Sequence, residues 1–224
     1  MFYEPDKNNH GLPYNPFKSI CVPRPIAWVS SLSRAGVLNL APFSQFQNLS
    51  YDPPHVMVSA RSNTDTARNI HETGEFVINM ATYALREAVN LTSSVVAPEV
   101  DEAALAGLEM VPARLVRPPR VALSPVQLEC RLHSSLTLPA RIEDNCHSVI
   151  IGRVVGVHIS DEALTPDGKI DVVKLRPLAR LGYLDYTSIE SSFTMPPPDG
   201  PNAARARRGL EGRPEREAAG AAAE

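Results

Sequence analysis

A chain of 224 residues with 43% hydrophobic and 21% charged side chains has room for one sizeable domain with a real core. Its net charge of −3 offers no basic surface for nucleic acid or an acidic membrane. Three cysteines, Cys21, Cys130 and Cys146, are an odd number without close spacing, which argues against a disulfide framework and suits a reducing compartment. The N-terminus lacks the basic-then-apolar order of a secretory signal, and no apolar run approaches the ~18 residues of a membrane span, so the expected location is the cytoplasm.

To about Pro25 the chain is rich in proline, asparagine and charge and reads as an extended arm with turns. Residues 26–32 are β-branched and aromatic, follow Pro23 and Pro25, and predict a strand, because proline is tolerated at a strand entrance. A turn at 33–36 and a second strand at 37–43 complete a hairpin. Residues 55–60 predict a strand after the Pro53-Pro54 breaker. Asn63 or Thr64 caps a short helix from Asp65 to about Glu72, stopped by Gly74. A strand follows at 75–80, then a helix at 84–91 with Leu85, Ala88 and Leu91 at spacings of three.

The proline-rich passage 112–125 reads as an irregular crossing. Long strands are expected at 126–136 and 147–159, a brief helical turn at 172–175, and the start of the last ordered element at 178–181. From Pro196 large apolar residues nearly vanish, so 196–224 is expected to be a disordered tail on a domain spanning 1–195. No internal repeat is present. Many strands with a few short helices predict a mainly β protein, a barrel with appended helices.

Chemistry-bearing residues concentrate between Trp28 and Thr66. Ser30 and Ser31 close one strand, and Asn39 precedes Ala41, Pro42, Phe43 and Ser44. Ser59, Ala60 and Arg61 close another strand just before Asp65 and Thr66 open a helix. Hydroxyls, an amide, a guanidinium and a helix N-terminus together suit a phosphate. Ala41 to Phe43 suits a flat apolar ring. The plainer reading is that Thr64 and Asp65 only cap the helix and that Ser30 and Ser44 are only solvated.

Several blocks carry a resemblance. They are Pro23-Arg24-Pro25-Ile26-Ala27-Trp28-Val29-Ser30-Ser31, Gly36-Val37-Leu38-Asn39-Leu40-Ala41-Pro42-Phe43-Ser44, Asp52-Pro53-Pro54, Asp65-Thr66-Ala67-Arg68-Asn69-Ile70 and Gly74-Glu75-Phe76-Val77-Ile78-Asn79. Gly156-Val157-His158-Ile159 and Leu178-Ala179-Arg180-Leu181-Gly182 follow. In this order, over about residues 10 to 195, the chain resembles the flavin reductase-like family. The resemblance implies a split β-barrel of the FMN-binding type, a homodimer, and FMN near the subunit interface. By motif, Ser30, Ser31, Asn39, Ala41, Pro42, Phe43 and Ser44 would line the ring and ribityl chain. Ser59, Ala60, Arg61, Asp65 and Thr66 would lie near the phosphate. The family continues after Gly182 with another glycine, where this chain has Tyr183.

The function expected from this likeness is reduction of flavin by NAD(P)H, with hydride transfer to flavin N5, in the service of a partner oxygenase. An FMN-bound electron carrier and a non-redox binding module on the same fold are the alternatives. Such a reaction needs no protein acid or base, and no catalytic residue is assigned. A GxGxxG nucleotide motif is absent, and a nicotinamide could bind over the flavin itself. Cys130 and His133 would face opposite sides of a strand, so no metal site is assigned to Cys130, His133, Cys146 and His147. His158 reads as a satisfied structural histidine, His71 as a helix-end dipole contact, and Trp28 as core or as a flavin contact.

Overall fold

The computed structural model describes residues 1–212; residues 213–224, the end of the expected tail, lie outside the described residues. The chain divides into two units, Met1–Glu190 and Ser191–Glu224. In the first, the strands are β1 (Arg24–Pro25), β2 (Ala27–Leu32), β3 (Leu38–Phe43), β4 (Phe46–Tyr51), β5 (Pro54–Arg61), β6 (Glu75–Met80), β7 (Met110–Val111), β8 (Arg120–Val121), β9 (Val126–Leu138), β10 (His147–Ile159), β11 (Leu178–Gly182) and β12 (Asp185–Ser188). The helices are α1 (Asp65–Thr73), α2 (Arg86–Leu91), α3 (Glu102–Leu105) and α4 (Val172–Leu175). In the second unit α5 (Ala203–Leu210) lies within the segment expected to be disordered. Among the described residues no helix is long and apolar enough to cross a membrane.

Seven strands form one antiparallel sheet in the order β3-β2-β6-β9-β10-β5-β4. Its two edge strands, β3 and β4, follow each other in the chain with only Ser44 and Gln45 between them. A link that short draws the edges together and curls the sheet into a barrel. β3 and β4 do not pair, so the wall stays open there, which is the split. The barrel is thus a mainly β, split-barrel fold, as expected.

Alternation along β2 divides the core in two. Ala27 and Val29 join Val56, Val58, Phe76, Ile78, Cys130 and Ile150, closed over by Ala67 and Ile70 of α1. Trp28 points the other way and packs with Leu40, Ala81, Val89, Val121 and Leu178. It is fully buried and its indole N–H donates to Thr92 Oγ1 at 2.9 Å, so its role is core packing. The Phe76 ring lies against Gly152 of β10, where a methyl group would overlap it.

Helix α1 begins at Asp65 as expected and runs one residue beyond Glu72, to Thr73. Thr64 accepts from the Ala67 amide at 3.3 Å, and Gly74 turns left-handed at φ 74° to stop it. The stretch read as one helix at 84–91 is a 3₁₀ turn at Tyr83–Leu85 leading into α2. β1, β4, β7, β8, β12 and α3 lie outside the expected elements, and the last element expected at 178–181 continues into the β11–β12 hairpin.

A second sheet, β1-β11-β12, ties the N-terminal arm to the far end of the chain. Arg24 pairs with Arg180 in register, and Ser19 Oγ donates to the Leu181 carbonyl at 2.6 Å. Gly182, at φ 109°, lies so close to the arm that a Cβ would overlap the Lys18 carbonyl oxygen. Tyr183 takes the left-handed conformation at φ 47° that a glycine would adopt freely. Its hydroxyl donates to the Asn15 carbonyl at 3.1 Å.

Candidate functional site

The twelve singled-out residues fall into three groups. Ser31, Asn39 and Thr66 are buried between the β2–β3 hairpin and α1. Asn39 Nδ2 donates to Thr66 Oγ1 at 2.7 Å, and Asn69 Nδ2 donates to Ser31 Oγ at 3.2 Å. These bonds fix the first turns of α1 against the hairpin. Asn69 Oδ1, in the same layer, is buried without a partner among the described residues.

Ser30 faces the opposite side of β2. Its hydroxyl donates to the Pro119 carbonyl at 2.5 Å, and Asn79 Nδ2 reaches it at 3.4 Å while Asn79 Oδ1 accepts from the Val121 amide. Ser30 and Ser31 therefore cannot line one surface. Ser30 holds the crossing segment 112–125 to the sheet.

The third group lies beside the place where the barrel splits. Ala41, Pro42, Phe43 and Ser44 are half-buried at the end of β3. The Ser59 amide donates to the Gln45 carbonyl at 2.8 Å, which sets β5 beside them. Ser59 and Arg61 share one face of β5; Ala60 faces the core and is buried. Thr64 Oγ1 donates to the Arg61 carbonyl at 2.9 Å, closing the turn into α1. Arg61 thus stands at the helix N-terminus, exposed.

Charge pairing around Arg61 is informative. Asp65 bonds Arg68 and Glu72 pairs with Arg34 at 3.7 Å, so neither neutralises Arg61. Among the described residues Arg61 has no ion-pair partner. His147 pairs in register with Arg61, and its Nδ1 lies 3.2 Å from Ser59 Oγ. Sequence reasoning weighed His147 only as a metal ligand; the register of β10 against β5 is what brings it here.

On the open side of β3, Glu102 of α3 is buried and accepts from the Leu40 amide at 3.0 Å. Burial pushes its carboxyl above the ordinary value despite that amide, with Asp65 and Asp101 adding to the rise. A raised folded value means that the charged form costs stability as pH rises through it. Glu102→Gln keeps the acceptor and removes the charge. Its melting temperature is expected to exceed that of the wild type by a few degrees near neutral pH. The gain should shrink in melts run at acid pH, where Glu102 is protonated.

His158 is satisfied, as expected. Its Nε2 lies 2.5 Å from Oε1 of the fully buried Glu129, which also accepts from the Arg114 and Leu115 amides. No cluster of three or more metal-ligating side chains occurs among the described residues.

The family model for the flavin reductase like domain matches residues 19–180. The chain belongs to the flavin reductase like family. This flavin reductase-like chain is 36% identical over 203 residues to an uncharacterised protein of Halalkalibacterium halodurans, covering 88% of the chain and 97% of that protein. Among solved structures, nitrilotriacetate monooxygenase component B from Bacillus cereus superposes with a TM-score of 0.80 at 29% identity, over 87% of this chain and 98% of that one. The 2-nitrobenzoate 2-nitroreductase NbaA of Pseudomonas fluorescens gives 0.77 at 26% identity, over 88% and 96%. Flavoredoxin of Desulfovibrio vulgaris gives 0.70 at 24% identity, over 82% and 94%, a likeness of fold.

Proposed function

We propose that this chain binds FMN beside the split of the barrel and is an NAD(P)H:flavin oxidoreductase. The observation that carries this reading is Arg61, a guanidinium without a carboxylate partner at the N-terminus of a nine-residue helix, beside Ser59 and His147. That donor set fits a phosphate monoester. Half-buried Pro42 and Ser44 fit the edge of a flat ring, while Ala41 and Phe43 face the barrel core from the same strand. Bound FMN would supply the two-electron acceptor.

On this reading Arg61, Ser44, Ser59 and the amides of Asp65 and Thr66 hold the phosphate. Ser31, Asn39 and Thr66 act one layer behind, keeping α1 at its angle. The likeness to a monooxygenase component B favours a partner oxygenase as consumer of reduced flavin. Titration with FMN should saturate at one site per chain, and anaerobic NADH or NADPH should bleach it. Binding without bleaching would leave the electron-carrier alternative.

Arg61→Ala is expected to weaken FMN binding by about ten- to a hundred-fold, the loss of one charge-assisted contact of roughly 1.5–3 kcal/mol. Riboflavin, which lacks the phosphate, should bind as before. Equal weakening of both, read from fluorescence quenching, would instead mark a fold defect.

A homodimer is part of the same proposal. The outer face of β9, β10 and β5 carries Met57, Val149 and Ile151, with Leu136 and Leu138 51% and 48% exposed. The β6–β9 ladder ends at Arg131, so beyond it β9 pairs on one side only. An apolar face with a free edge calls for cover, and a two-fold contact supplies it. Light scattering should give twice the chain mass, and Leu136→Asp with Leu138→Asp should shift it toward the monomer.

A further inference from the structure

We propose that the chain carries a second small-molecule site, a cavity at one end of the barrel that takes a neutral single-ring hydrocarbon of the size of benzene or toluene. Its lining shares no residue with the set proposed for FMN, and the inference does not depend on that reading.

The place of the cavity follows from the two cores. Ile78, with Phe46 and Leu128 packed on it, belongs to the core inside the barrel; Ile26, Ala81 and Leu178 belong to the core around Trp28. These six residues line a cavity of about 130 Å³ where the two cores meet. Protein interiors leave few voids larger than a water molecule, so one of this size is an exception. Its walls are not free to move in. β6 is paired on both sides, by β2 and β9, and the Leu178 amide is tied to the Ala81 carbonyl at 2.8 Å. An occupant would supply the contacts that the walls cannot make with each other. The floor is buried at Ile26, Ile78, Ala81 and Leu178, while Phe46, Val126 and Leu128 are only half-buried. The cavity therefore reaches the surface on that side, and a ligand has a way in.

The lining selects the occupant. Every one of these side chains is a hydrocarbon. Pro25 and Pro177, also in the wall, have no N–H to offer, and the Leu178 amide is spent on Ala81. A water molecule needs two to four polar partners to settle in a cavity and finds none among these side chains. A hydroxyl or a charged group would be buried without a partner, a penalty that the apolar contacts do not offset. Size then narrows the class. An apolar cavity of about 150 Å³ lined by Leu, Ile and Phe stays dry and admits benzene. Phe46 offers a ring for an edge-to-face contact, and Met80, in the same wall, offers a thioether that suits an aromatic edge.

The test uses the full chain and three probes, toluene, phenol and benzoate, followed by titration calorimetry. Toluene should bind saturably at one site per chain and raise the melting temperature. Phenol should bind at least about tenfold more weakly, because its hydroxyl is buried unpaired, and benzoate should not bind. Ala81→Leu and Val126→Phe each place a larger side chain in the cavity, and each should abolish toluene binding while the protein melts no lower than the wild type. In the wild type, nuclear Overhauser contacts should run from toluene to the methyl groups of Ile78 and Leu178, a readout that needs no variant. Loading with FMN should leave toluene affinity unchanged. No saturable toluene binding by the wild type overturns the inference, as do contacts that miss Ile78 and Leu178, or affinity that survives in a plugged variant that folds. Displacement of toluene by FMN overturns it too, by making the cavity part of the flavin site. A chain that binds toluene in this way but takes up no FMN upholds the cavity and overturns the proposed function instead.

Discussion

Replacing Glu129 by alanine is expected to lower the melting temperature by roughly 10 °C, the equivalent of about 3–5 kcal/mol in a chain of this size. The carboxylate is fully buried and accepts at 2.7 Å from the Arg114 amide and at 2.6 Å from the Leu115 amide, with His158 at 2.5 Å. Alanine would leave both amides without an acceptor and His158 without its partner. The crossing segment 112–125 would lose its anchor on β9. Burial alone would raise the Glu129 carboxyl; the Arg114 amide, His158 and the Leu115 amide outweigh it, and the net direction is down. A depressed folded value gives stability that is present above the unfolded value and lost as pH falls through the folded one. Thermal melts from about pH 3 to neutral should therefore show a steep acid limb in the wild type and a shallower one in Glu129→Gln. Parallel limbs would show that the carboxylate is not what holds the segment.

Phe76→Ala should cost about 3–5 kcal/mol. Phe76 is fully buried at the centre of the barrel, among Val58, Ile78, Cys130 and Ile150, and its ring occupies the space that Gly152 leaves by having no side chain. The ring and the glycine are complementary, so the cavity left by alanine has no neighbour positioned to fill it. Chemical denaturation should show a lower midpoint with an unchanged slope. Phe76→Leu, which keeps most of the volume, should recover more than half of the loss. The converse change, Gly152→Ala, should also destabilise, because β10 is held by both neighbouring strands and cannot retreat from the ring.

The strands that read well from sequence are those with apolar residues on a core face. β10 and α4 have the bounds expected for them, and β9 runs two residues further. β4 escaped because Phe46-Gln47-Asn48-Leu49-Ser50-Tyr51 is an edge strand with Leu49 and Tyr51 facing outward, so its alternation is not hydrophobic. α3 is a single turn, held by the Asp101 cap at one end and Glu102 on the Leu40 amide, and one turn has no periodicity to read. Beside the split, Arg61, Ser59 and the helix start are close in sequence and could be seen together. The separation of Ser30 from Ser31 follows from strand alternation alone and was open to the same reasoning. His147 was not, because its place depends on the register of strands 86 residues apart, which no local pattern encodes. The same holds for the cavity at the end of the barrel, whose walls are drawn from Ile26 to Leu178.

The small sheet β1-β11-β12 has a consequence for the order in which the chain can fold. β1 has no partner until β11 has been made, and the Ser19–Leu181 bond spans 162 residues. A chain emerging from the ribosome could pair β2 with β3, or β4 with β5, soon after each hairpin clears. It would carry its N-terminal arm unpaired until nearly the whole first unit had been synthesised. Contacts of such separation bear the full entropy of loop closure and form late. The arm is therefore the natural place for hydrogen exchange to begin in the finished protein, and for a chain halted before residue 178 to be cut.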